Sequence, residues 1–340
     1  MDKKKLRLFE CYAGYGGAAF GLKKANIDFE SVGYSEIKQS VIDLYNLNHP
    51  NIKNYGDITK IDSKDLPDFD IITGGFPCQD VSMAGLRDLT KGRTKTVFKM
   101  LEIIKIKKPK YCLLENVAGI LSMLDGELLL EIVRQLKNMG YAVSYKLLYS
   151  REHGIPQKRP RVWLACQLGR DAFGFNPFPK REELNFFVKD ILEQEVDLKY
   201  FPSEKMLNYW KSRVNDWSDI IEDIFPTLTV SKATLDNNWV ICHSRQPRSG
   251  DPKKGGTGQL SCADGTSYTI DTGNSQFIQK FDNSFRYLTP RECFRLMGFL
   301  NDEIVFGKLK DSALYQAAGN GWDINLVSKI FKGWIGNTSK

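Results

Sequence analysis

The sequence predicts an α/β fold: a doubly wound, mostly parallel sheet joined to a smaller, irregular, β-rich region. Three observations carry that expectation. Apolar strand-like runs alternate with helical periodicity over about the first 165 residues, the pattern of successive βαβ units. Several of these runs end in glycine, acidic or thiol-bearing residues, and the carboxyl ends of strands in such sheets line the ligand crevice. Near Phe173 the alternation is lost, and Pro177, Pro179 and the charged run Lys180–Glu183 mark a boundary.

The first strand is Leu6–Cys11. It runs into Tyr12-Ala13-Gly14-Tyr15-Gly16-Gly17 and a helical stretch, Ala18–Lys24. Strand, glycine turn and helix form a cradle, because small residues let backbone N–H groups approach a ligand at a helix start. The turn departs from G-x-G-x-x-G, which disfavours a pyrophosphate-bearing dinucleotide. A second strand, Ser31–Ser35, leads to Glu36. An acid at that spacing suits the hydroxyls of a ribose, and equally a solvated acid at a helix start. A helix, Gln39–Asn46, and Gly56-Asp57-Ile58 follow. The strand Phe69–Thr73 then turns on Gly74-Gly75-Phe76-Pro77 to present Cys78 and Gln79. Taken alone, Cys78 reads as a half-buried small hydrophobe.

The segment from Asp80 to Lys95, rich in glycine and charge, is expected to be a mobile loop over the site. Next come a helix over Val97–Ile106, a strand Tyr111–Leu114 ending in Glu115-Asn116-Val117, a helix from Gly126 to Asn138, and a strand Tyr141–Tyr149. A turn, Gly154–Arg161, feeds a late antiparallel strand, Val162–Cys166. Beyond the boundary lie short β-like runs at Thr227–Val230, Trp239–Ile241 and Tyr268–Ile270. A basic, glycine-rich segment among them carries Arg245, Arg248, Lys253 and Lys254, residue types that suit phosphate backbones and base edges. Thr289 followed by Pro290 marks a helix start. The chain closes with Gln316 to Trp322 and an amphipathic helix from Asp323.

With 340 residues, 42% of them hydrophobic, the chain can bury a large core in two domains. A net charge of +7 is compatible with a polyanionic partner. The 7 cysteines include no C-x-x-C pair, and only 3 histidines are present, so neither a zinc site nor a disulfide framework is expected. The amino terminus has no signal-peptide core and no apolar run is long enough for a membrane span, so the expectation is a reduced, cytoplasmic protein without membrane or metal.

In such a sheet Tyr12 with its glycines, Cys78, Glu115, Arg159 and Arg161 share one crevice. On these residues the chain resembles the DNA (cytosine-5-)methyltransferases of the bacterial type. Phe76-Pro77-Cys78-Gln79, Glu115-Asn116-Val117 and Gln157-Lys158-Arg159-Pro160-Arg161 match three of that family's motifs in order. The opening glycine turn, the run from Arg291 to Phe299, and Gly319-Asn320 match three more. The resemblance covers nearly the whole chain except about 180 to 285, which resembles the family's variable target-recognition region.

The resemblance implies an S-adenosylmethionine-dependent methyltransferase fold. Residues 1–180, completed by 312–340, would form the catalytic and cofactor-binding domain, and 181–311 the target-recognition domain. It implies methyl transfer from S-adenosylmethionine to C5 of a flipped-out cytosine in a specific DNA sequence. Cys78 would add to C6, Glu115 would face N3 and the exocyclic amine, Arg161 would hold the base O2, and Arg159 would support Glu115 or the thiolate. Cofactor contacts would come from Tyr12, Ala13, Gly14, Gly16, Gly17, Glu36, Ile37, Asp57, Ile58, Phe76 and Asn320. DNA contacts would come from Gln79, Ser82, Arg245, Arg248, Lys253 and Lys254. The implied partners are double-stranded DNA and a cognate restriction endonuclease acting on the same site, with the protein a monomer.

A tRNA cytosine-5 methyltransferase on the same scaffold and an inactive DNA-binding relative are the alternatives. The long basic insert favours DNA, and the intact set Cys78, Glu115, Arg159 and Arg161 favours an enzyme. Three positions depart from the family pattern: Tyr12 stands where phenylalanine is usual, Arg93-Thr94-Lys95 replaces an Asp-Arg-Gly run, and Gly321-Trp322 replaces Ser-Val.

Overall fold

Strand β1 (Leu6–Cys11) is the hub of the topology. β2 (Phe29–Ser35) pairs parallel along one side of it and β3 (Ile71–Gly75) parallel along the other. β4 (Tyr111–Val117) continues parallel beside β3. β7 (Pro160–Leu168) then runs antiparallel between β4 and β5 (Tyr141–Tyr149). The sheet order is β2-β1-β3-β4-β7-β5, so the expected doubly wound, mostly parallel sheet with a late antiparallel strand is what forms. Strand order reverses between β1 and β3, and such a reversal opens a crevice at the carboxyl ends of the strands. This computed structural model describes residues 5–77, 95–205, 240–244, 260–262, 264–273, 276–280 and 285–336. Cys78, Gln79, Ser82, most of the expected loop from Asp80, the Thr227–Val230 run, Arg245, Arg248, Lys253 and Lys254 lie outside the described residues.

The central strands read as continuous apolar runs because both faces are covered. The pleat sends alternate residues to opposite faces. Phe9, Ile72, Leu114 and Leu164 share one core with the helices α3 (Lys95–Lys107) and α4 (Glu127–Asn138). Leu8, Ile71, Leu113 and Ala165 share the other with α1 (Gly17–Lys24). α2 (Gln39–Asn48) follows β2. The expected strand from Phe69 begins two residues later. Phe69 instead stacks on Phe9 with ring centroids 5.2 Å apart, and the ladder runs on through Gly74 and Gly75, which pair with Leu114 and Glu115.

The carboxyl-terminal part supplies α5 (Pro290–Arg295), α6 (Asp311–Asn320) and α7 (Ile324–Trp334). Thr289 and Glu292 form a reciprocal capping box with Pro290 in the first turn, and Asp323 caps α7. α6 has no counterpart in the sequence expectations. Its Ala317-Ala318-Gly319 end gives little periodicity, and burial of Leu314, Tyr315, Ala317 and Ala318 decides it. α7 lays Leu326, Val327, Ile330 and Phe331 against Leu8, Ala18 and Leu22, so the end of the chain covers its beginning.

A separate antiparallel sheet has the order β12-β11-β8-β9, built from β8 (Val240–Ser244), β9 (Leu260–Cys262), β11 (Gln276–Lys280) and β12 (Phe285–Tyr287). The expected turn before Arg161 contains a two-residue strand, β6 (Gln157–Lys158), paired parallel with β10 (Ser267–Tyr268). Among the described residues no helix is long and apolar enough to cross a membrane, and no cluster of His, Cys, Asp and Glu could hold a metal ion.

Candidate active site

The crevice is built first by the turn after β1. Gly14 and Gly16 take φ of +58° and +85°, and a Cβ on Gly16 would lie 2.3 Å from His49 Nε2. The crevice is lined by Tyr12, Ala13, Gly14, Tyr15 and Gly17 from this turn, by Thr73 and Gly75 from β3, and by Asn320 at the end of α6 with Gly321 and Trp322 just after it. Glu10 is buried in β1, lines the crevice as well, and accepts the Ala18 and Ala19 N–H groups at 3.1 and 3.3 Å and the Tyr45 hydroxyl at 3.0 Å. Burial pushes the Glu10 carboxyl up to about 7, against the pull of these hydrogen bonds.

Glu36 meets both of its readings at once. Its Oε2 accepts the Gly14 N–H at 3.2 Å, while Oε1 accepts the Ile37 and Lys38 N–H groups at 2.9 and 3.1 Å at the start of α2. A carboxylate has about four acceptor sites, so capacity remains for a ligand hydroxyl. Asn54 brackets the Glu36 backbone and the Gly56 N–H, and Ser35 Oγ donates to the Gly56 carbonyl at 2.6 Å, which brings Asp57 to the same end of the sheet. Hydrogen bonds from Thr59 hold the Asp57 carboxyl below the usual carboxylate range. Ile37 is 74% exposed, whereas Ile58 and Phe76 are buried in the core beneath the sheet ends. Gly16, Glu36, Ile37, Asp57, Ile58 and Phe76 do not line the crevice itself.

The second half of the site sits on β4 and β7. Glu115 is 8% exposed and pairs across the ladder with Gly75. Its Oε1 lies 2.8 Å from Arg161 Nε. Burial raises the Glu115 pKa, opposed by the charges of Arg161 and Arg159 and by hydrogen bonds from Trp322 and Arg161. The next residue, Asn116, donates from Nδ2 to the Phe76 carbonyl at 2.9 Å, tying the end of β4 to the backbone just before Cys78.

Two-residue spacing along an extended chain puts Gln157, Arg159 and Arg161 on one side. Each takes a different partner. Gln157 donates to the Leu296 carbonyl at 2.6 Å and accepts the Ile270 N–H at 3.1 Å. Arg159 Nη2 donates to the Gly319 and Gly321 carbonyls at 3.0 and 2.7 Å. Its Nη1 is buried without a hydrogen-bond partner among the described residues. Arg161 takes Glu115. The arginine in hydrogen-bond contact with Glu115 is therefore Arg161, and Arg159 braces the loop that carries Asn320 and Trp322.

Sequence reasoning missed Glu10 and Gly75 as parts of this site, and took Trp322 only as a departure at the floor of the cofactor pocket. Glu10 reads locally as a strand residue. Gly75 reads as turn chemistry, yet a Cβ there would lie 2.9 Å from both Glu115 Oε2 and Trp322 Nε1. Trp322 carried a signal, since it departs from the small pair expected after Gly319-Asn320. The whole arrangement offers a buried carboxyl with raised proton affinity beside a guanidinium, which suits proton donation, next to a backbone cradle for a second ligand.

The sequence model of the family described as C-5 cytosine-specific DNA methylase matches residues 6–335. The Type II methyltransferase M.NlaX of Neisseria lactamica is 37% identical over 331 residues, covering 95% of this chain and 94% of that protein. The Type II methyltransferase M.SsoII of Shigella sonnei is 30% identical over 340 residues, covering 97% of this chain and 80% of that protein. The crystal structure of the S. pombe Dnmt2 methyltransferase matches with a TM-score of 0.73 at 21% identity, over 99% of this chain and 100% of that one, a likeness of fold.

Proposed function

Because the chain belongs to the C-5 cytosine-specific DNA methylase family, we propose that it transfers a methyl group from S-adenosylmethionine to C5 of a flipped-out cytosine in a specific sequence of duplex DNA. The observation that carries this reading is the buried Glu115–Arg161 pair, set across from Gly75 three residues before Cys78. The crevice suits this cofactor better than a dinucleotide. The Ala18 and Ala19 N–H groups in the first turn of α1 are taken by Glu10, so the helix start does not present those two to a phosphate. Glu36 retains acceptor capacity for ribose hydroxyls, exposed Ile37 offers apolar surface for the adenine, Asp57 would take the adenine amine, and Tyr12, Gly14 and Asn320 would hold the methionine end. The bound cofactor supplies an electrophilic methyl group.

The chain's own residues prepare the base. Cys78, as the thiolate, forms a bond from Sγ to C6, and the ring electrons move toward C5 and N3. Glu115 donates a proton to N3, which makes C6 receptive, and accepts from the exocyclic amine, which excludes thymine. Arg161 stays hydrogen-bonded to Glu115 and faces the base O2 as charge develops. After methyl transfer, loss of the C5 proton expels the thiolate. Residues 1–180 with 312–340 carry this chemistry, and 181–311, with Arg245, Arg248, Lys253 and Lys254, select the DNA sequence; Gln79 and Ser82 would add contacts to the DNA. A restriction endonuclease cutting the same site is the matching partner.

A duplex carrying 5-fluorocytosine in the recognised site tests the mechanism, since fluorine cannot leave as a proton does. With the methyl donor present, the parent forms a complex that survives denaturant, and Cys78→Ser does not, because a serine hydroxyl is a far weaker nucleophile. Trapping by the Cys78→Ser protein refutes the covalent step. Trapping of a fluorinated RNA hairpin but not of DNA moves the substrate to RNA.

A further inference from the structure

Trp322 sits where two parts of the site meet. Its backbone is fixed from both sides: Arg159 holds the carbonyls of Gly319 and Gly321, and the Tyr15 hydroxyl donates to the Trp322 carbonyl. Its ring packs edge-to-face on Trp163 with centroids 4.9 Å apart. Trp163 is the β7 residue paired with Glu115 across the ladder. The side chain is buried and also forms part of the crevice lining. The indole N–H hydrogen-bonds Glu115, and Trp322 Nε1 and Glu115 Oε2 converge over the bare Cα of Gly75. An indole nitrogen only donates, so it can engage only an acceptor oxygen of the carboxyl. Arg161 Nε holds the other oxygen.

We propose that Trp322 is a positioning residue: its indole N–H fixes the Glu115 carboxyl against the end of β3 while its ring walls the cofactor crevice, so one side chain sets both the orientation of Glu115 and the seat of the methyl donor. The proposal rests on the function proposed above for Glu115. The Ser-Val pair common at this point in the family offers no indole donor, so the link is particular to Gly321-Trp322. Among the described residues, the charged or titratable groups that act on Glu115 are Arg161 on β7, Arg159 just before it, and Tyr15 in the first turn. Both arginines favour the carboxylate, as does the indole N–H. Removing the N–H alone therefore leaves Glu115 holding its proton to higher pH.

Trp322→Phe keeps most of the ring and deletes the donor, whereas Trp322→Val deletes both. In Trp322→Phe, kcat at pH 7 falls about tenfold through loss of orientation. The alkaline limb of its pH–rate profile moves up by about one pH unit, and KM for the methyl donor stays within about threefold. Trp322→Val adds a rise in KM of about tenfold.

A second measurement needs neither DNA nor methyl donor. In protein labelled with 15N-tryptophan, the indole resonance absent from Trp322→Phe moves with pH in the parent and stops moving in Glu115→Gln. A parent-like pH profile and kcat in Trp322→Phe overturn the proposal, as does an indole resonance indifferent to both pH and Glu115→Gln. If Trp322→Phe does not fold, the resonance is identified by its absence from Trp322→Val, and the parent and Glu115→Gln spectra decide. A parent that shows the indole titration yet methylates no duplex cytosine refutes the proposed function and leaves this link standing.

Discussion

Replacing Arg159 with methionine removes a guanidinium that is 2% exposed and leaves two carbonyls, Gly319 and Gly321, without the donor that reaches them at 3.0 and 2.7 Å. Hydrogen bonds to charged groups contribute about 1.5–3 kcal/mol each, so the pair is worth about 3–6 kcal/mol before the cost of burying the charge is set against it. The loop keeps the contact from Tyr15 to the Trp322 carbonyl and the turn bond from Gly321 N–H to Ala318, so only part of the loss appears as loop disorder. If about half does, the population with Asn320 and Trp322 in place falls by about 10- to 100-fold, and the apparent affinity for the cofactor falls with it. Calorimetric titration with S-adenosylhomocysteine measures that affinity without turnover, and urea unfolding shows whether the variant remains folded. The expected result is folded protein with product affinity reduced at least tenfold. Parent-like affinity in a folded variant that has lost turnover refutes the reasoning and places Arg159 at the reacting base instead of behind the loop.

Two further predictions concern stability. Glu10 is pushed up from 4.5 to about 7 by burial, so the unfolded chain ionises first. Its contribution is therefore full below about pH 4.5 and is lost as pH rises toward about 7, in all about 3 kcal/mol at 1.36 kcal/mol per pH unit; Glu10→Gln abolishes that fall in urea-unfolding free energies, and an identical pH dependence in both proteins refutes it. Arg286 and Glu292, 2% and 0% exposed, pair through two contacts of 2.6 and 2.7 Å, so Arg286→Met strands a buried carboxylate and lowers unfolding free energy by about 3–5 kcal/mol; a loss under about 1 kcal/mol shows the pair to be dispensable.

Much of the scaffold was legible because its signals are local. β1 and β5 fall on their expected bounds, and the Thr289 cap and Asp323 helix start form as read. Errors cluster where tertiary contacts override local preference, as at α6 and in the shift of β3 onto its glycines. Within the site, the motifs located Glu115 and Arg161 but not their division of labour. Nothing in the run from Gln157 to Arg161 says that one arginine takes Glu115 while the other takes carbonyls 160 and 162 residues away. Glu10 was equally opaque, because its function is set by Tyr45, 35 residues on, and by the start of a helix it does not belong to.

These long-range partners bear on how Glu115 can change protonation inside a protein core. Burial alone would keep the carboxyl neutral, and two guanidiniums nearby would alone keep it ionised. Burial prevails, so the group holds its proton above the usual carboxyl range while retaining donors for the carboxylate it becomes. Such opposition suits the proposed donation to N3, because the proton must leave without stranding a buried charge. The donors that accept that charge come from β7 and from the cofactor loop. Whatever orders the loop therefore also alters the readiness of Glu115 to ionise, and linkage makes the influence mutual. On the function proposed above, cofactor seating and base activation would act through a shared wall, with Arg159 and Trp322 as its two fastenings.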